Sequence, residues 1–209
     1  YYSIIKNREN THWYGSVEKY RYIYQALYYA LKMFEFKHIH NDSIKTANAI
    51  KIWELYTSDY FKMDQYYRLF YTNYDLISSD ILKKSTKQEV EDLYTNWYLE
   101  QLSSAWHQAI KEDLKDNWCI NTLEQQKDFY HNYITPILTE SDRDKVFVII
   151  SDALRFEIAS QLSSELVHES VGTAKLKAMQ GSLPSYTKLG MTALLPHKSI
   201  EFKDDARIT

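Results

Sequence analysis

An α-helical N-terminal region over residues 1–140, followed by the start of an α/β domain over 141–209, is the fold class this sequence predicts. Three observations carry it. Between Thr11 and Leu138 the only helix-breaking residues are Gly15 and Pro136, whereas the shorter remainder holds Gly172, Gly181, Gly190, Pro184 and Pro196. Apolar residues recur at helical spacing through the first region. After the charged connector Glu140-Ser-Asp-Arg-Asp-Lys145, the run Val146-Phe-Val-Ile-Ile150 is apolar at every position and β-branched at four of five, the pattern of a strand buried on both faces of a parallel sheet.

The helical elements follow in chain order. A first helix is expected over 16–38, with Tyr20, Ile23, Leu27, Leu31 and Phe34 on one face, a second over 43–57 and a third over 60–78. A fourth opens at Ser85, where Ser-Thr-Lys-Gln reads as a capping box, and carries Val90, Leu93, Trp97, Leu102, Ala105 and Ala109. A fifth follows Thr122-Leu-Glu-Gln125, a second capping box. No fixed period recurs, so a compact bundle is expected and not a solenoid. The chain has 19 tyrosines, many in pairs such as Tyr28-Tyr29 and Tyr66-Tyr67. Tyrosines can stack on bases. At helical spacing and without a positive groove they are read here as packing residues, one ring inward and its neighbour toward water.

Composition narrows the classes. Residues of hydrophobic type make up 44%, enough for a buried core, and 28 acidic against 25 basic residues give a net charge of −3. That is not the basic footprint of a nucleic-acid binder, although local patches leave direct binding open. The single Cys119 can form no internal disulfide and no zinc knuckle, which suits a reduced, cytoplasmic setting. Residues 1–10 contain Lys6, Arg8 and Glu9 and do not resemble a signal peptide, and no stretch is long and apolar enough for a membrane span. The chain opens on Tyr1 without a Met and is expected to be a piece of a longer protein.

In the second region Asp152 falls at the carboxyl end of the expected strand, and a helix is expected over 153–167 with Leu154, Ile158, Leu162 and Leu166 on one stripe. Ligands of open α/β sheets gather at such strand ends. Helix capping is the competing role for Asp152 and, on position alone, slightly the better one. Arg155 is placed either to hold a phosphate or to pair with Asp152 or Glu157. Further on, Gly181-Ser-Leu-Pro-Ser-Tyr-Thr-Lys-Leu-Gly190 brings Ser182, Ser185 and Thr187 to the start of a short helix closed by Pro196. Free backbone N–H groups there suit a phosphoryl group. Hydroxyls at helix starts are far more often simple caps. An Asp after a strand also suits response regulators and haloacid dehalogenases, but the latter need a second Asp two residues on, where this chain has Leu154.

The motif Ser151-Asp-Ala-Leu-Arg-Phe-Glu157 after a strand, followed by Leu183-Pro-Ser-Tyr-Thr-Lys-Leu-Gly-Met-Thr-Ala-Leu-Leu-Pro-His197, resembles the paired motifs of PglZ domains, the alkaline-phosphatase-superfamily module of BREX phage-defence systems. The resemblance covers roughly the last third of the chain. It implies an alkaline-phosphatase-like core with two divalent metals, commonly zinc, held by Asp and His. In that pattern Asp152 is a metal ligand and Thr187 the metal-bound hydroxyl that attacks or positions the phosphate. Ser185 is the next candidate, then Ser182, which stands two residues before Pro184 as in related sulfatases. Arg155 would contact the phosphate. The remaining ligands would lie further along the parent sequence.

Other ligand candidates are weaker. His38 and His40, at i and i+2, point apart on a helix and are expected at the surface. His197 is read as ending its helix, and Asp204-Asp205 as solvated charge. The resemblance implies a metal-dependent phosphatase or phosphodiesterase acting on a phosphate-containing substrate beside a DNA methyltransferase and an ATPase, with this piece inactive on its own. A non-catalytic scaffold that binds other defence components is the alternative.

Overall fold

Long runs without Gly or Pro form helices as expected, and tertiary packing joins some that the pattern separates. The structure, a computed structural model, describes residues 1–41, 48–77, 82, 84–111, 114, 118–140, 145–169 and 172–201. Its residues fall into two compact units, Tyr1–Ala109 and Ile110–Thr209. Ile44 and Ala47, apolar positions of the helix expected over 43–57, and Asp204-Asp205 lie outside the described residues.

In the first unit, α1 (Tyr2–Glu9) and α2 (His12–Ser16) precede α3 (Glu18–His40). Ile23, Ala26, Ala30, Met33 and Phe36 form the buried stripe of α3, at the three- and four-residue steps of a helix face. Ala26 and Ala30 keep that stripe shallow and let the neighbouring helix approach. The expected helices over 43–57 and 60–78 are instead continuous: α4 (Ala49–Leu55) passes through a π-helical turn, Tyr56–Tyr60, into α5 (Phe61–Tyr74). No Gly or Pro stands there to stop it, and the Thr57 and Ser58 hydroxyls donate to the carbonyls of Trp53 and Glu54, at 2.9 and 2.6 Å. A second π turn, Leu93–Leu99, joins α6 (Lys84–Asp92) to α7 (Glu100–Ile110). Ser85 therefore sits inside the first turn and does not cap it.

The two π turns share one core. Tyr98 of the second donates to the Tyr60 carbonyl of the first at 2.8 Å. The buried Asp64 carboxylate accepts from Tyr56 at 2.8 Å and Tyr94 at 2.9 Å, so the aromatic core closes around a satisfied charge. Burial, with the nearby Asp64 charge, pushes the Tyr98 phenol far above its ordinary value. Tyr67 stacks on Tyr94 with centroids 3.8 Å apart. The packing role expected of the tyrosines is what the structure shows, although both members of the 28–29 and 66–67 pairs are half-buried instead of alternating.

In the second unit, Gln126–Asp128 is a 3₁₀ turn, Tyr130–Ile134 a π turn, and α8 (Thr135–Glu140), α9 (Phe156–Glu169) and α10 (Thr187–Leu194) follow. Two expectations change here. The helix expected after Thr122–Gln125 is there, as the continuous helical run 126–140, but no capping box opens it: Gln125 stands at its N-cap without a side-chain cap bond and bridges Gln180 instead. The run 146–150 forms no strand, and among the described residues no strand exists for it to pair with. A central strand gains its stability from ladders on both sides. Without them Phe147 and Ile149 stand 86% and 91% exposed. The structure thus shows a mostly helical chain, and residues 110–140, read from sequence with the helical region, pack with the second unit. No described helix is long and apolar enough to cross a membrane.

Candidate active site

After 145–150, which form no regular element, the chain turns at Asp152-Ala153. Ala153 adopts φ 56°, the left-handed region that costs an L-residue about 1–2 kcal/mol. The turn is held by the Ala153 N–H, which donates to Asp152 Oδ1 at 3.0 Å. Helix α9 starts only at Phe156, three residues later than the spacing suggests, so Asp152 does not cap it. Strained non-glycine backbone of this kind concentrates at functional sites.

Helix α10 begins at Thr187 and is anchored by buried Leu189 and Ala193. Its N-cap is Tyr186, in extended conformation and without a side-chain cap bond. The Thr187 hydroxyl is therefore not used as a cap. It faces Asp152, with Oγ1 to Oδ2 at 3.4 Å across 35 residues of sequence. That contact is longer than the usual hydroxyl–carboxylate bond of about 2.7 Å. Both residues line a cavity of about 350 Å³ together with Ser151, Ser182, Ser185 and Gln126, with Leu154, Met191 and Leu194 as apolar walls. A hydroxyl and a carboxylate beside uncapped helix N–H groups can bind and orient a phosphoryl oxygen.

The remaining candidates separate from this cluster. Arg155 is exposed and is not part of the cavity wall. His197 turns its ring back on its own loop, Nδ1 lying 2.7 Å from the Leu195 carbonyl. In the first unit His38 is exposed, but His40 is not a surface residue: its Nε2 lies 2.8 Å from Asp59 Oδ2 and its ring packs on Phe36 and Tyr60. Among the described residues no three His, Cys, Asp or Glu side chains converge on a metal-sized site. Zinc takes about four donors. Asp152 and Thr187 supply two donor side chains, so the described residues do not make a complete zinc site.

Two residues of the cavity region carry no sequence motif. Gln126 lines the cavity and Gln180 is buried behind it. The one signal for them is glycine placement: Gly181 and Gly190, on either side of the hydroxyl segment, both lie against the Gln126 carboxamide.

Residues 129–209 match the family model of the BREX system PglZ alkaline phosphatase-like domain. The chain is 38% identical over 208 residues to the alkaline phosphatase-like protein PglZ of Bacillus cereus (strain H3081.97), covering all of this chain and 24% of that protein. It is 36% identical over 200 residues to the alkaline phosphatase-like protein BrxZ of Escherichia coli O9:H4 (strain HS), covering 94% of this chain and 23% of that protein. No solved structure matches it. With paired motifs, a family match over the candidate site and similarity along its whole length, the chain belongs to the BREX PglZ family and spans about a quarter of its curated relatives.

Proposed function

We propose that this chain carries the first part of the active site of a metal-dependent phosphatase or phosphodiesterase that acts on phosphate esters in phage defence. The observation that supports this reading best is the approach of Thr187 to Asp152 in one cavity, beside an uncapped helix start. Thr187 is the hydroxyl that attacks or positions phosphorus, with Ser185 as the neighbouring alternative. Asp152 orients that hydroxyl and is one ligand of a divalent metal, zinc in this reading. The other ligands come from the three quarters of the family's length that this chain does not span. Arg155 is assigned to the phosphate in the complete site. The same missing length supplies the strands that pair with 146–150 and complete an α/β core. The whole protein works in the cytoplasm beside an ATPase and a DNA methyltransferase.

The test uses the full-length protein. Bound metal is counted by mass spectrometry, and hydrolysis of bis-p-nitrophenyl phosphate is followed for Asp152→Ala and Thr187→Ala. Asp152→Ala should lose metal and activity together. Thr187→Ala should lose activity with the fold intact, because Thr187 is the first helical residue and not the cap. Activity kept in Thr187→Ala and lost in Ser185→Ala would move the hydroxyl role to Ser185.

A scaffold without catalysis is the second reading. Its support is the two-donor cluster in the second unit and the closed aromatic core of the first. A full-length protein that binds no metal and hydrolyses no ester would favour it.

A further inference from the structure

We propose that Gln126, which lies ahead of the family match, is a positioning residue of this site: its carboxamide holds the segment that carries Ser182, Ser185 and Thr187. The inference rests on the phosphatase reading only for its catalytic consequence.

The backbone of Gln126 is fixed first. Its N–H donates to the Gln180 carbonyl at 2.9 Å, and the Gln180 N–H donates to the Glu124 carbonyl at 2.7 Å. The Gln180 side chain, 8% exposed, locks the pair. Its Oε1 accepts from the Ile120 N–H at 2.8 Å and from Gln125 Nε2 at 3.2 Å, and its Nε2 donates to the Trp118 carbonyl at 3.2 Å. Five polar links therefore clamp residues 118–126 to the start of the hydroxyl segment.

From that fixed base the Gln126 side chain reaches across the segment. Its Oε1 accepts from the Ser182 N–H at 2.9 Å. A backbone N–H only donates, so this bond determines which end of the amide is oxygen. The NH₂ end then lies toward Gly190, where a Cβ would stand 3.6 Å from Nε2. Gly181 meets the same carboxamide, a Cβ there falling 3.8 Å from Oε1. Gly190 stands three residues after Thr187, about one helical turn. One side chain thus braces the hydroxyl segment before Ser182 and after Thr187, and so sets where Thr187 stands relative to Asp152.

The experiment compares Gln126→Leu and Gln126→Glu in the full-length protein, with amide hydrogen exchange of 181–187 as the first readout and ester hydrolysis as the second. Leu keeps the bulk and removes the acceptor; Glu keeps an oxygen at the same reach. In Gln126→Leu the 181–187 amides should exchange about tenfold faster, with 156–169 unchanged, and Glu should restore slow exchange. The kcat of Gln126→Leu should fall about tenfold with KM little altered, since orientation and not uniform binding is lost. Wild-type exchange in Gln126→Leu, or equal acceleration through all of 118–201, would overturn the proposal. Faster loop exchange with unchanged kcat would overturn its link to chemistry. A wild-type protein inactive on the ester would fail the phosphatase reading alone, because the exchange comparison still judges Gln126.

Discussion

Phe70 of the first unit is fully buried, whereas Phe147 of the second exposes 86% of its surface. Phe70 lies on a helix of mixed polarity and Phe147 in a run that is apolar at every position. Phe70 sits on α5, whose partner α3 lies within the same hundred residues, and its backbone bonds are satisfied inside its own helix. Phe147 sits in an apolar run whose backbone needs neighbouring strands, and none is present among the described residues. The same holds for Leu162 and Leu166 on α9, which are exposed along the stripe read as apolar. The difference teaches that apolarity marks a residue for burial but does not supply what buries it. A helical unit can close on local partners; a parallel-sheet segment depends on distant ones.

The sharpest way to break this contrast is truncation. Phe70→Ala should destabilise the first unit by about 3–5 kcal/mol, while Phe147→Ala in the 209-residue chain should change stability by less than about 0.5 kcal/mol. Chemical denaturation of the two variants measures it. A large effect of Phe147→Ala in the full-length protein would locate its partners beyond this chain.

The next effect probes how the first unit tolerates a buried charge. Asp64→Ala leaves the Tyr56 and Tyr94 hydroxyls without their acceptor and should cost about 2 kcal/mol or more by the same measurement. A neutral result would mean that the aromatic packing alone sustains the core.

Alkaline pH should separate the units as well. The Tyr98 phenol is raised in the folded state, so its contribution is complete below the unfolded value of about 10 and is lost as pH rises beyond it, where only the unfolded chain releases the proton. Burial and then the hydrogen bond to Glu91 raise Tyr71 in the same direction. Melting temperature followed above about pH 9 should therefore fall, and less steeply in Tyr98→Phe. An unchanged slope in that variant would leave Tyr98 out of the effect.

The smallest expected effect lies in the second unit. Ala153→Gly removes the left-handed strain beside Asp152 and should be neutral or stabilising by about 1 kcal/mol, against the usual cost of introducing Gly. Clear destabilisation in a thermal melt would show that the Asp152 turn is not strained.

Much of the first unit was legible in the residues. That α3 is a helix and that the tyrosines pack follow from helical spacing, since a helix satisfies its own backbone and needs only one apolar face. The face itself was misplaced: of the expected Tyr20, Ile23, Leu27, Leu31 and Phe34 only Ile23 is fully buried, and Tyr20 and Phe34 are exposed. The core side is Ile23, Ala26, Ala30, Met33 and Phe36. Continuity across Leu93–Leu99 was legible, since one helix was expected from Ser85 through Ala109; the join at Tyr56–Tyr60 and the π geometry of both turns were not, because a π turn is held by tertiary contacts such as Tyr98 to Tyr60. In the second unit the types of residue at the site, an Asp and a set of hydroxyls, stood out in sequence along with the family resemblance. Only the tertiary structure decided that the helix after Thr122–Gln125 opens without a capping box, and that Gln126 joins the cavity of Asp152 and Thr187. Spacing along the chain reports which neighbours share a local face. It carries no information on which distant backbone groups will bond, and residues 118–126 are held by a partner more than fifty residues away.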